Sequence, residues 1–181
     1  MLRREDHDRE PTDREPNASA GGAGAPPDPA GPNRAPDLTR EYATNEVTVQ
    51  WYASRCIHSG NCVRALQAVF DPRRRPWVDA TAASADEIVA AVVRCPSGAL
   101  HFTRHDGGES ERPDVPATIT PMPDGPLYFR GDLEVRMPDG TPIRRDLRGA
   151  LCRCGRAQGM PFCDNSCRTT GWRESAINGN L

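Results

Sequence analysis

The first half of the chain alternates hydrophobic and polar residues in two places, and each stretch predicts a β-strand. Val47, Val49 and Trp51 alternate with polar neighbours, as expected for a strand with one buried face. A similar alternation runs over residues 99–103. These stretches predict the opening and the closing strand of one small domain.

Helical spacing separates the two predicted strands. Apolar residues recur at helical intervals over residues 63–70, which predicts a short helix. Residues 76–78 form a short strand-like run. Ser84 and Glu87 then have the spacing of a capping box, which opens a second helix through Val93. This order of elements favours a small α+β domain over residues 41–105.

The second half of the chain begins after a polar stretch. Residues 106–116 contain Gly, Pro and charged residues, which predicts a linker before a second domain over residues 117–177. Leu133 and Val135 face Ile143 across a turn that contains Asp-Gly, a good hairpin signal. The second domain is therefore expected to open as a small antiparallel sheet.

Composition changes this picture at the N-terminus and in the cores. Residues 1–40 mix charges with a Gly, Ala and Pro tract and lack apolar periodicity, so they are predicted to be a disordered tail. Hydrophobic residues make up only 36% of the chain. Two small domains with thin cores need staples such as metals. The seven cysteines therefore become the main candidates for chemistry.

Charge and hydropathy exclude several classes of partner. With a net charge of -2, no summed positive field draws the chain to nucleic acid or to anionic lipid. The longest aliphatic run, Ile88–Val93, is too short to cross a bilayer, and the first residues carry no secretory signal. We therefore expect a cytoplasmic protein, in which reduced cysteines serve metal or redox chemistry.

Three cysteines fall in the first predicted domain. Cys56 and Cys62 enclose a loop of small and polar residues, which can wrap a metal cluster and point N–H groups at it. Cys95 follows the second predicted helix and precedes a proline that directs the chain away. This spacing favours a metal cluster, with buried structural cysteines as the alternative.

This segment resembles the single-cluster bacterial ferredoxins, particularly a divergent subgroup. The recurring runs are Arg55–Cys62 and Arg94–Leu100, and the resemblance covers about residues 42–104. It implies a ferredoxin-like domain with a cuboidal cluster and electron transfer. Ser59 stands where four-cysteine relatives carry the remaining ligand. Three thiolates suit a 3Fe-4S cluster, or a 4Fe-4S cluster whose fourth iron is bound by His58, Ser59, water or a substrate.

The remaining four cysteines fall in the second predicted domain. Cys152 and Cys154 lie on the same side of an extended segment, where they can grip one iron. Cys163 and Cys167 are four positions apart, so they share one face of a turn or helix start and can grip a second iron. The alternative is a zinc ion in a cage of four cysteines.

This pattern is similar to the CDGSH iron-sulfur family over about residues 125–175. The matching positions are Gly155, Pro161, Phe162, Cys163, Asp164 and Ser166. The resemblance implies a 2Fe-2S cluster in a small β-rich fold, commonly paired into a homodimer. Ala157 and Met160 replace the usual serine and lysine beside the cluster, and Asn165 stands where the family has glycine.

Cys167 is the departure with chemical consequences, because the family has histidine at that position. No histidine follows His105 in this chain, so Cys167 is the expected fourth ligand. The family's histidine can be protonated near neutral pH, which loosens the outer iron. A thiolate adds negative charge and lowers the potential of a 2Fe-2S cluster. We therefore expect a cluster of lower potential and lower acid lability than in the histidine-containing relatives.

The two sites use all seven cysteines, and the chain has no hydrolytic triad, phosphate loop or nicotinamide fingerprint. We therefore predict an electron carrier or cluster carrier that works with a redox partner protein, and not an enzyme. The alternatives are a cluster-based redox or iron sensor, a zinc-stabilised interaction module, or an enzyme with an open iron at the three-cysteine site. His101 and His105 are predicted to be ordinary strand and loop residues.

Overall fold

The computed structural model describes residues 39–174, and within that range the strands form two separate three-stranded antiparallel sheets. The predicted tail over residues 1–40 lies outside the described residues except for its last two positions, which begin the first strand. The predicted end of the second domain, residues 175–177, also lies outside them. No helix in the described part is long and apolar enough to span a membrane.

The first sheet has the order β1-β2-β3 and contains both strands predicted in the first half. Strand β1 spans Thr39–Ala43, β2 spans Val47–Tyr52 and β3 spans Leu100–Arg104. Strand β1 is missing from the prediction because its short polar sequence has no alternation. Thr44 shapes the turn between β1 and β2, since its hydroxyl oxygen accepts a hydrogen bond from the Val47 N–H at 3.0 Å.

Two helices lie between β2 and β3. Helix α1 spans only Asn61–Ala65, so the longer helix predicted over residues 63–70 is wrong at its C-terminal end. The chain turns after Leu66, which lets Phe70 and Val78 form an isolated antiparallel bridge, the remnant of the predicted short strand. Helix α2 spans Ala85–Val92, and its predicted capping box is confirmed.

The core of the first half lies between its sheet and α2. Its buried side chains come from alternating positions of β2 and β3, from one face of α2 and from the irregular segment between α1 and α2, so periodicity along the sequence predicts part of the core and not all of it. The largest members are Val47, Val49, Val69, Phe70, Val78, Ile88, Val92 and Leu100.

The second sheet has the order β4-β5-β6 and contains the predicted hairpin. Strands β4, β5 and β6 span Thr118–Pro121, Leu127–Arg136 and Pro142–Leu151. Val135 lies opposite Arg144, because the register shifts near the turn, so the predicted pairing with Ile143 is wrong by one position. Helix α3, Ser166–Thr169, ends the described secondary structure.

The two halves meet through buried polar groups. The predicted linker over residues 106–116 has no regular secondary structure, but the Glu111 side chain within it is only 5% exposed and contacts Arg148 of β6. His101 is not an ordinary strand residue, because its imidazole is buried between Glu111 and Asp146. The fold is thus a small mixed one, with few helices and two sheets over residues 39–174.

Candidate metal centres

The three cysteines of the first half line one cavity of about 890 Å³. Cys56 follows a short 3-10 turn after β2, Cys62 lies in the first turn of α1, and Cys95 follows α2. Apolar and aromatic side chains form most of the remaining wall. They include Tyr42, Trp51, Ile57, Val63, Trp77 and Leu100.

The loop between Cys56 and Cys62 curls because two of its residues have left-handed backbone conformations. These are His58, with φ 52°, and Gly60, with φ 73°. Arg64 holds the loop from α1, since its guanidinium donates to the Ser59 carbonyl at 2.8 Å. Asn61 donates to the Arg94 carbonyl at 3.1 Å, which ties the loop to the segment that carries Cys95.

The candidates for a fourth iron ligand also line this cavity. His58 and Ser59 both do so, and the Nδ1 atom of His58 lies 3.8 Å from the sulfur of Cys56. Ser97 is a further candidate that the sequence prediction missed. It is buried, and its hydroxyl lies 3.7 Å from the Cys95 sulfur. Its position two residues after Cys95 is the sequence signal from which this candidate could have been found.

Burial favours the protonated thiol at Cys56 and Cys62 in the metal-free chain. The pKa of Cys62 is raised to about 11, mainly by burial and in smaller part by the nearby Cys95 and Cys56 thiols. The pKa of Cys56 is also raised, mainly by burial. Thiolate is the form that binds metal, so loading this site must release protons and depends on pH.

The first two cysteines of the second half come directly after β6. Cys154 lies in a bend, so the extended segment predicted to carry both cysteines does not continue past Cys152, whose N–H donates to the Pro161 carbonyl at 2.8 Å. The two sulfurs are 3.5 Å apart. Burial opposes ionisation of Cys152, but the N–H of Ala157, the Cys154 thiol and the N–H of Gly155 outweigh it and lower its pKa. Converging N–H groups of this kind favour bound anionic sulfur.

The other two cysteines flank a tight turn into α3. Asn165 has φ 74°, so the position that the family fills with glycine keeps its left-handed backbone, which asparagine tolerates. Its N–H donates to the Cys163 sulfur at 3.3 Å. Asp164 accepts from the N–H groups of Ser166 and Gln158, both at 2.9 Å, and so braces the loop around the site.

Cys167 is buried on the side of α3 that faces the other cysteines of the second half. The pKa of Cys163 is raised to about 11, mainly by burial and in smaller part by the charge of Cys167. The Cys167 charge also raises the pKa of Cys154. Within residues 39–174 no three His, Cys, Asp or Glu side chains converge tightly enough to hold one metal ion. Cluster ligands divide among several irons and have no single meeting point.

The two cysteine groups are neighbours. Ile57, which follows Cys56 in the chain, is 5% exposed and packs in one apolar cluster with Ala150 and Cys163. Tyr128 packs against that cluster, and burial together with the charges of Cys163, Cys167 and Cys95 raises its pKa. The phenol is therefore within electrostatic reach of both groups. Sequence reasoning missed this contact, because it joins residues that are far apart in the chain.

Comparison with known proteins identifies both halves. Residues 42–105 match the family described as a divergent 4Fe-4S mono-cluster. The uncharacterized protein YjdI of Escherichia coli, from strain K12 and from O157:H7, is 36% identical over 66 residues, which are 36% of this chain and 86% of YjdI. The chain belongs to the divergent 4Fe-4S mono-cluster family. Residues 124–168 match a second family, described as an iron-binding zinc finger of the CDGSH type.

Membership in these families decides the cofactors. The first domain binds a 4Fe-4S mono-cluster and the CDGSH domain binds a 2Fe-2S cluster. The cavity with its three cysteines has the donor chemistry for the larger cluster, and it offers His58, Ser59 and Ser97 for the fourth iron. The four cysteines around α3 supply the thiolate set that a 2Fe-2S cluster needs.

Proposed function

We propose that this chain is an electron-transfer protein, which passes single electrons between its two clusters and a redox partner protein. In this proposal Cys56, Cys62 and Cys95 hold the 4Fe-4S cluster. The 2Fe-2S cluster is held by Cys152, Cys154, Cys163 and Cys167. Such clusters supply one-electron redox chemistry, and the chain supplies their ligands, their separation and their electrostatic surroundings.

The observation that carries this proposal is the buried apolar cluster that Ile57 forms with Ala150 and Cys163. Ile57 is bonded to Cys56, so this cluster joins the chain next to one cysteine group to a cysteine of the other. Electron tunnelling slows steeply with distance, and bonded and packed atoms favour it over open space. The adjacency of the two groups therefore supports transfer within a single chain.

The electron balance requires an electron donor and a separate electron acceptor. A one-electron reductase loses an electron to the chain, and an acceptor protein gains that electron at the other site. The chain itself returns to its starting state, as expected for a carrier and not for an enzyme. We also propose the cytoplasm as its compartment, because all seven cysteines are free thiols.

A homodimer is a further part of the proposal. Strand β4 pairs with β5 on one side, and all four of its residues are exposed. Ile119 on this strand is 57% exposed, which is unusual for a large apolar side chain on an edge strand. Pairing of a second copy along β4 would cover it. Light scattering should then give twice the chain mass, and Ile119→Lys should give a monomer.

A second candidate function uses the cavity itself. Its volume of about 890 Å³ is within the range of small-molecule sites, and the aromatic side chains of Tyr42, Trp51 and Trp77 are part of its wall. An iron without a protein ligand could bind a small molecule there as a Lewis acid. Changes in the spectrum of the reduced 4Fe-4S cluster on adding cyanide or a small thiol would favour this candidate, and an unchanged spectrum would favour the pure carrier.

The test of the carrier function is a metal and redox analysis of protein purified without oxygen. We expect about six irons and six acid-labile sulfides per chain, from one cluster of each type. Cys62→Ser should lose the four-iron share and Cys154→Ser the two-iron share, so each variant controls for the other. Both clusters should accept one electron reversibly. Zinc without sulfide, or clusters that no reductant reduces reversibly, would contradict the proposal.

A further inference from the structure

A group of charged side chains is buried where the two halves meet. They come from the first half, from the segment between the halves and from β6. The members are Arg55, His101, Glu111, Arg144, Asp146 and Arg148. Buried charges are costly unless each finds partners, so a set of this size marks a fixed geometry.

Arg148 links β6 to the first half and to the segment between the halves through three hydrogen bonds. Its Nε donates to the Cys95 carbonyl at 3.1 Å, and its Nη2 donates to the Leu100 carbonyl at 2.7 Å. Its Nη1 donates to the Glu111 carboxylate. The planar guanidinium can serve three acceptors in fixed directions, which a lysine ammonium cannot match. The backbone on both sides of the Cys95 turn is thereby attached to β6.

Asp146, on the same strand, holds the other cysteine-bearing segment. Its carboxylate accepts from Arg55, the residue before Cys56, at 3.1 Å. It also lies 3.2 Å from Nε2 of His101. Burial opposes ionisation of Asp146, but the hydrogen bond and charge of His101 and the charges of Arg144 and Arg55 outweigh it and lower its pKa. Strand β6 therefore grips the chain just before Cys56 as well as at Cys95.

Gly98 shows how closely the Cys95 segment lies on β6. It has φ +69°, and a Cβ atom there would come within 2.4 Å of the Arg148 carbonyl oxygen and 2.7 Å of an Asp146 carboxylate oxygen. Only glycine allows both this backbone conformation and this approach. The contact is therefore built into the Cys-Pro-Ser-Gly run that closes the first site.

The same strand delivers the second site. Strand β6 ends at Leu151, and Cys152 follows at once. Cys152 lies four positions after Arg148, which corresponds to about 13 Å of extended chain. One rigid element thus contacts the Cys95 backbone in its middle and leads into the 2Fe-2S cysteines at its end.

We propose that Arg148 is a positioning residue, which holds the Cys95 segment on β6 and so sets the separation of the two clusters. Its effect on electron transfer rests on the function proposed above. Loss of the guanidinium leaves the Cys95 and Leu100 carbonyls and the Glu111 carboxylate without this donor. The Cys95 loop can then move relative to Cys152.

The test compares Arg148→Gln with Arg145→Gln in the full chain. Arg145 lies on the same strand, but its side chain is 52% exposed and pairs with Asp132 at the surface. The main readout is the magnetic interaction between the two clusters in the fully reduced protein, measured by electron paramagnetic resonance. Wild type and Arg145→Gln should show the same splitting. Arg148→Gln should lose it, and unchanged splitting would overturn the proposal.

A second readout needs no cluster. Protease Glu-C cuts after exposed glutamates, and the exposed Glu109 serves as an internal reference for the buried Glu111. In metal-free full-length protein, Arg148→Gln should raise cleavage after Glu111 several-fold relative to cleavage after Glu109. Arg145→Gln should leave that ratio unchanged. An equal ratio in all three proteins would contradict a positioning role for Arg148.

The outcomes separate this inference from the proposed function. Absent clusters, or clusters without magnetic interaction in the wild type, would count against the electron-transfer proposal itself. Coupled clusters in the wild type with unchanged coupling in Arg148→Gln would overturn only the role of Arg148. If Arg148→Gln does not fold, Arg148→Lys replaces it. That variant keeps the charge but not three directed bonds, so we expect partial loss of the splitting, and no loss would again overturn the proposal.

Discussion

The two cysteine groups are built by different means. The first lines a large cavity, and its order depends on contacts that cross from the Cys95 segment to β6. The second is built from local turns, in which N–H groups converge on Cys152 and Asn165 donates to Cys163. The cysteine group of the first half therefore depends on the junction of the two halves, whereas the cysteine group of the second half depends on its own loop.

The largest effect that separates the two cysteine groups is expected from a methyl group at Gly98. In Gly98→Ala the new Cβ meets backbone and carboxylate atoms of β6. We expect a loss of about 3 kcal/mol in the free energy of unfolding of the metal-free protein, measured with urea. The control is Gly140→Ala, because Gly140 also has positive φ, at +89°, but a Cβ there meets nothing within 4 Å.

The control variant should lose only about 1 kcal/mol, the cost of a left-handed backbone for alanine. Cluster loading sharpens the result further. Gly98→Ala should reduce the four-iron share and leave the two-iron share intact. Equal losses of stability in both variants would contradict a close contact between the Cys95 segment and β6.

A change confined to the second site is Cys167→His. Replacing a thiolate with a neutral imidazole removes one negative charge, so the potential of the 2Fe-2S cluster should rise. The imidazole can be protonated, so the rate of cluster loss at pH 6 should also rise. Optical redox titration and the decay of visible absorbance measure the two effects. An unchanged potential with an unchanged decay rate would rule out Cys167 as a ligand.

The reactivity of the thiols in the metal-free chain at a fixed pH tests the difference between the two cysteine groups. Cys62 and Cys163 have folded-state pKa values of about 11 against an ordinary value of 9.0, whereas the pKa of Cys152 is lowered. Alkylation at pH 8 should therefore label Cys152 before Cys62 and Cys163, as read by peptide mass spectrometry. Labelling of Cys62 ahead of Cys152 would contradict the burial of the first site.

The raised thiol pKa values also make the free energy of unfolding depend on pH. A raised thiol pKa means that the folded state binds the proton more tightly than the unfolded state does. The contribution of Cys62 is thus fully present below pH 9.0 and is lost as the pH rises to about 11. Urea unfolding of the metal-free protein should show this loss, and Cys62→Ser should reduce it. A flat profile over that range in the unmodified chain would contradict the assignment.

The smallest expected effect is at Asn165. Its φ of 74° is one that glycine adopts freely, so Asn165→Gly should change the free energy of unfolding by only a few tenths of a kcal/mol. Asn165→Ala should cost about 1 kcal/mol, since alanine lacks asparagine's tolerance of this conformation. Thermal unfolding of the two variants measures the difference. Equal behaviour would show that the turn into α3 is free to rearrange.

Local patterns predict much of this fold. Alternation finds β2 and β3, the capping box finds the start of α2, and Asp139-Gly140 finds the hairpin of β5 and β6. Cysteine spacing likewise predicts the two groups of cysteines. Each of these signals is contained in a few consecutive residues, so it predicts local structure without any knowledge of tertiary contacts.

The rest depends on contacts between distant residues. Glu111 lies in a polar segment that is typical of a linker, yet its side chain is buried because Arg148 and His101 partner it from other strands. Ile57 lies in a polar loop, and its packing in one cluster with Ala150 and Cys163 requires the two halves to be docked. One sequence does not reveal these pairings, because nothing in the residues around one partner indicates which distant residue it contacts.

Electron transfer within one chain is tested most directly by the concentration dependence of its rate. Wild-type protein with one cluster reduced by a fast pulse can be followed optically while the second cluster gains the electron. The carrier proposal predicts a first-order rate that is independent of protein concentration. A rate proportional to protein concentration would place the transfer between molecules, and the contact through Ile57 would then not serve electron transfer.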